Sequence, residues 1–145
     1  CLDGSIGDSI ISLNQSKSDI ITFHTYEAEK LEPTIKELRS IGRPLMCTEY
    51  MAREYGTTFE FCLPIFKKYN IACYNWGLVA GRSQTNFNWE TILHLNEQRN
   101  KGYLIYEGDS LTEPDEWFHD IFRQDGSSFK DEETAFIKKI LLNEE

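Results

Sequence analysis

The residues most suited to chemistry fall in three short segments: Phe23-His24-Thr25-Tyr26, Cys47-Thr48-Glu49-Tyr50-Met51 and Tyr74-Asn75-Trp76-Gly77. Each closes a run of apolar, β-prone residues, so each is expected where a strand ends. In parallel α/β sheets and barrels, the carboxyl ends of the strands are where ligands bind and reactions occur. A glutamate there can serve as a nucleophile, with a phenol or an imidazole to hydrogen-bond it, and an indole gives a flat apolar platform. Brought together, these groups suit a pocket that hydrolyses sugars, though not a complete one.

The elements that must position them alternate. Residues 19–26 read as a buried strand. A helical pattern follows from about Ala28 to Ile41, with Leu31, Ile35 and Leu38 at helical spacing and Pro33 read in a first turn. Gly42 stands where a helix C-terminus is expected. The second strand runs from Leu45 to about Tyr50, and its helix from about Thr57 to Tyr69, with Phe59, Cys62, Leu63 and Phe66 on one face. Pro64 is expected to kink or break that helix, and Asn70 to end it. Ile71 to Trp76, or as far as Val79, makes a third strand. Strand–helix–strand–helix–strand with near-continuous apolar strands is the pattern of right-handed βαβ units on a parallel sheet.

Beyond Gly81 the pattern loosens. Residues 82–113 read as a long loop carrying a short helix near Glu90–Arg99, and Gly102 and Gly108. Pro114 is expected to open a helix through about Phe122, Asp125-Gly126 to make a turn, and Glu132–Leu142 to form a last helix. Ser9–Leu13 reads as a short helix or strand, after a start rich in glycine (Gly4, Gly7) and serine.

At 145 residues with 40% hydrophobic and 13% aromatic content, the chain has the size and make-up of one folded domain. No apolar run reaches the length of a membrane span. The N-terminus shows neither a basic nor an apolar leader region. A net charge of −9 argues against nucleic acid as a partner. Of four cysteines, Cys47, Cys62 and Cys73 sit in apolar stretches and read as small buried thiols. A Cys47–Cys73 disulfide between neighbouring strands is the alternative. No Cys/His spacing suggests a metal site.

Three stretches, Ile20–Tyr26, Arg43–Arg53 and Tyr74–Gly81, together with Trp117-Phe118-His119-Asp120-Ile121-Phe122-Arg123 and Asp125-Gly126, occur in an order that resembles a known family. Residues from about Asp19 to Ile137 are similar to the C-terminal third of a retaining (β/α)8-barrel glycoside hydrolase. The clan includes cellulases, mannanases and β-galactosidases, and the likeness is to family 5-like or family 2-like catalytic domains. The resemblance implies an α/β fold that is a partial TIM barrel, its three strands being the sixth to eighth, with a long loop after the last. Residues 1–145 would then be the C-terminal part of one barrel domain, as a start at Cys1 and not Met also suggests.

By the same resemblance Glu49 is the nucleophile that attacks the anomeric carbon, and Tyr26 gives it a hydrogen bond. His24 and Trp76 bind the sugar, and Gln84 and Trp89 line outer subsites. Retaining hydrolysis also needs an acid/base carboxyl group roughly 5–5.5 Å from the nucleophile. In this clan it follows an asparagine at the fourth strand's end. No Asn-Glu precedes Asp19 here, and Asn96-Glu97 and Asn143-Glu144 come after Glu49, in helical or terminal segments. The expectation is thus a β-glycan hydrolase whose acid/base is absent from this chain and whose other strands lie in the same or another polypeptide. The alternative is a non-catalytic sugar-binding or scaffold fragment. The expected partner is an oligo- or polysaccharide, with no cofactor, no metal and an extracellular or periplasmic location. His119 and Asp120 are read as packing or capping residues on a helix, Arg53 as the partner of a carboxylate the sequence does not identify, and His94 as exposed.

Overall fold

A computed structural model describes residues 8–101 and 112–142; Cys1, Gly4, Gly7, Gly102, Gly108 and Asn143-Glu144 lie outside the described residues. The elements run α1 (Asp8–Lys17), β1 (Ile21–His24), α2 (Ala28–Arg39), β2 (Leu45–Glu49), a 3-10 turn (Arg53–Tyr55), α3 (Phe59–Tyr69), β3 (Ala72–Cys73), α4 (Trp89–Asn100) and α5 (Asp131–Leu142). The three strands form one sheet in the order β1-β2-β3, all parallel.

Strand alternation decides which face is covered. Ile21 and Phe23 of β1 and Leu45 and Cys47 of β2 are buried, and they meet Leu31, Ile35 and Leu38 of α2 and Phe59, Cys62, Leu63 and Phe66 of α3 in one core. Thr22, Met46 and Ala72 take the other parity, are half-buried or exposed, and line up across the sheet. Helices cover one face, and α5 packs on α3 behind it.

The pairing contains one irregularity that matters for function. Phe23 pairs with Cys47, yet His24 pairs with Glu49, so Thr48 is an extra residue in β2. Simple alternation from buried Cys47 would turn Glu49 toward the helices. The extra residue restores it to the side of His24.

Both helices contain a proline at their sixth residue, Pro33 and Pro64. Pro33 therefore lies beyond the first turn, and Pro64 does not break α3. In each case the proline is exposed, as are Glu29 and Glu60 four residues earlier. The carbonyls that lose their helical partner are thus on the wet side, where water can satisfy them. Thr58 caps α3 by accepting from the Phe61 N–H at 3.3 Å, and Asn70 ends it in a left-handed conformation with φ 51°.

Two further expectations fail. The third strand is only Ala72–Cys73, although the chain tracks β2 further through Tyr74 N–H to Cys47 O at 2.9 Å and Trp76 N–H to Tyr50 O at 2.8 Å. The segment expected to be helical from Pro114 to Phe122 is irregular. Its backbone bonds outward: Phe118 N–H to Asn86 O, His119 N–H to Thr85 O, and Ile121 and Phe122 N–H to Leu78 O. Burial of Trp117, Phe118, His119, Asp120 and Ile121 in succession leaves no solvent face for a helix. The thiols of Cys47, Cys62 and Cys73 are free.

Candidate active site

Strand ends β1 and β2 bring three of the expected residues together. The Tyr26 hydroxyl donates to Glu49 Oε2 at 2.8 Å, and His24 Nδ1 lies 3.2 Å from the same oxygen. The Glu49 side chain is 26% exposed, so the carboxylate is held on one oxygen while open to a ligand. Burial, followed by the hydrogen bond to Glu49, pushes the Tyr26 phenol far above its ordinary pKa. It therefore stays a neutral donor.

These groups open into a cleft of about 940 Å³ whose wall includes Glu54, Tyr55 and Trp89. Trp89 meets Tyr26 edge-on at 5.1 Å between ring centres and Tyr55 at 5.5 Å. Phe118 braces both, at 5.1 Å from Trp89 and 5.5 Å from Tyr55. Asn88 caps α4, its side chain accepting from the Thr91 N–H at 2.9 Å, and its amide also donates to Glu54 at 3.2 Å. The cap thereby fixes Trp89, the helix's first residue, against the strand ends.

Two expected residues lie elsewhere. Trp76 does not border this cleft: Ala72, Tyr74 and Trp76 share the exposed parity of the third segment, and Trp76 is 44% exposed. The apolar wall is Trp89, brought in by α4. Gln84, with φ 57°, borders a separate hollow of about 370 Å³ beside Trp117 and Arg123.

His119, expected in packing or capping on a helix, lies instead in the irregular segment behind the cleft. Its ring centre is 5.7 Å from that of Tyr26 and 6.0 Å from that of Trp89. Its Nδ1 bonds the Met51 carbonyl, so Nδ1 carries the proton. Burial holds the imidazole below its ordinary pKa and so neutral. Nε2 finds no protein partner among the described residues. Asp120, fully buried, accepts from the Thr85 hydroxyl at 2.8 Å, and burial raises its pKa. The mixed aromatic and polar run Trp117–Asp120 is the sequence signal for this region, along with the aromatic Tyr55 just after the Cys47–Met51 segment.

Arg53 ties this layer to the fold. Its guanidinium donates to both oxygens of Glu133 on α5, at 3.0 and 2.5 Å, to Trp117 O at 2.8 Å and to Asp120 O at 2.9 Å. Among the described residues no group of three His, Cys, Asp or Glu side chains is arranged to hold a metal ion. His94 is exposed on α4 beside Gln98. Compared with known proteins, the chain matches no family model, no curated protein and no solved structure.

Proposed function

We propose that this chain carries the nucleophile and part of the sugar site of a retaining β-glycan hydrolase. Glu49 attacks the anomeric carbon to form a glycosyl ester that water later cleaves. The observation that carries the reading is the pair of contacts on one Glu49 oxygen, from Tyr26 and His24, at the carboxyl ends of adjacent parallel strands facing a cleft. Tyr26 holds the carboxylate's orientation, and Trp89 with Tyr55 offers the apolar wall against which a pyranose packs its C–H face.

The strand order supports a barrel segment. Strands added always in the same direction, with right-handed crossovers, carry their helices on one face, as in a (β/α)8 barrel. The opposite face, with Ala72, Tyr74 and Trp76 exposed along β3 and its continuation, is where further barrel strands and their interior side chains would pack. In this reading the acid/base comes from a segment outside these three βα units.

An activated 2-deoxy-2-fluoro β-glycoside tests the nucleophile without that acid, because its good leaving group departs unprotonated. The expected product is one glycosyl unit on the peptide containing Glu49, absent from Glu49→Gln. No label at Glu49 across gluco-, manno- and xylo-configured reagents refutes the assignment. A second reading is favoured by the aromatic wall, which needs no carboxylate to hold a sugar: a binding module without catalysis. Oligosaccharide binding that survives Glu49→Gln but not Trp89→Ala, with no covalent label, selects it.

A further inference from the structure

We infer that His119 is a positioning residue for Glu49, acting through the Met51 carbonyl to hold the turn that aims the carboxylate. The inference rests on the reading of Glu49 as the working group.

Three consecutive carbonyls beginning at the last residue of β2 are each tied to a different segment. Glu49 O accepts from Thr25 N–H at 3.0 Å, on the β1 side. Tyr50 O accepts from Trp76 N–H at 2.8 Å, on the β3 side. Met51 O accepts from His119 Nδ1 in the C-terminal segment. The third tie holds the costly one. Met51 has φ 88°, a left-handed conformation that a long unbranched side chain rarely adopts and that persists only when its surroundings impose it. Met51 is fully buried, so its carbonyl cannot fall back on solvent.

His119 is itself held through its neighbours in the chain. Arg53 donates to the carbonyls of Trp117 and Asp120, the residues two before and one after it. The Arg53 backbone N–H donates to Phe118 O at 3.1 Å. Gly77 makes room for it: a Cβ there would stand 2.7 Å from His119 Cβ and 2.9 Å from Asp120 Oδ1. A residue held this tightly, on a strained turn two residues past the carboxylate, transmits placement and not only packing. Freed from it, the Met51 turn relaxes toward an ordinary φ, and Glu49 rotates away from the Tyr26 hydroxyl.

The Tyr26–Glu49 bond gives a readout independent of any activity. The 13Cζ resonances of Tyr26 and Tyr50, assigned by their loss in the Tyr→Phe variants, are followed to about pH 11, past the ordinary tyrosine range near 10. Both phenols are held high in the parent, and Tyr50 is buried in the core, so neither moves. In His119→Ala, the Glu49 bond no longer adds to burial in holding Tyr26 high, so its resonance is expected to begin moving at the top of this range while Tyr50 stays silent. His119→Asn, whose amide N–H falls where Nδ1–H stood, restores the silent Tyr26; His119→Gln, with its amide N–H at the Nε2 place, does not. If the alanine variant loosens both tyrosines, the Asn and Gln pair decides. Tyr26 unmoved in all three variants, or Asn and Gln behaving alike, overturns the inference. Failure of fluoroglycoside labelling with the Tyr26 pattern intact sinks the hydrolase reading and leaves His119 as the group that places Glu49.

Discussion

Neutralising Glu133 tests how firmly the C-terminal helix holds the layer behind the site. The Arg53 and Glu133 side chains are each 3% exposed, so in Glu133→Gln the guanidinium keeps its charge, stays buried and loses its counter-ion. Breaking a buried pair from one side costs about 3–5 kcal/mol, because the surviving charge is left uncompensated. Two features soften the loss. Glu116 Oε1 lies 3.6 Å from Arg53 Nε, and the Trp117 and Asp120 carbonyls remain as acceptors. The lower end, about 3 kcal/mol, is therefore expected, which for a chain of this size lowers Tm by roughly 6–12 °C. Thermal unfolding followed by far-UV circular dichroism at neutral pH reads it. Arg53→Met should be worse, since it strands the Glu133 carboxylate and two buried carbonyls together. The double variant Arg53→Met/Glu133→Met should recover part of the sum, with a coupling of at least about 1 kcal/mol. A Glu133→Gln midpoint within about 2 °C of the parent, or strictly additive single variants, would refute the account of this pair as a buried clasp.

Other expectations are simpler. Gly77→Ala forces a Cβ against His119 and Asp120 at a φ of 82°, and should cost more than about 1–3 kcal/mol in urea unfolding; an unchanged midpoint contradicts the close approach. Thr58→Ala removes the α3 cap, whose 3.3 Å bond is long, and should cost about 0.5–1 kcal/mol, with a larger loss marking a role beyond capping. Because burial depresses the His119 pKa, the unfolded chain takes up this proton first as the solution is acidified. The His119 contribution to stability is therefore complete above its unfolded value, about 6.5, and is lost as pH falls toward the folded value. His119→Asn should flatten the urea-midpoint profile below neutrality, and parallel profiles for parent and variant would exclude this linkage.

How much of this was legible in the sequence follows from where the signals are local. The β1–α2–β2–α3 succession could be read because Leu31, Ile35 and Leu38 and then Phe59, Cys62, Leu63 and Phe66 repeat at helical spacing, and those residues are the buried ones. Placing Glu49, Tyr26 and His24 at adjacent strand ends needed only those elements and their parallel order. The segment from 114 to 122 defeated the same logic. Trp117, Ile121 and Phe122 have helical spacing, but the intervening Phe118, His119 and Asp120 are buried as well, through contacts with Met51, Asn86 and Leu78 far away in the chain. Pairing of that kind leaves no periodic trace. Trp76 and Trp89 show a related limit: both are aromatic residues near the third strand, and only the path of α4 decides which one reaches the cleft.

Thr48 carries a consequence out of proportion to its chemistry. As the supernumerary residue opposite β1, it is passed over by the pairing, and that skip governs where Glu49 looks. Exchange for serine or valine leaves that arithmetic untouched. Straightening this stretch without losing a residue, or lengthening it by one with the bulge kept, would swing the acidic group into the oily layer beneath the helices, whereas removing Thr48 would leave it on the side of His24 by plain alternation. This stretch of the chain should therefore accept changes of spelling, and even loss of its extra residue, far more readily than an insertion.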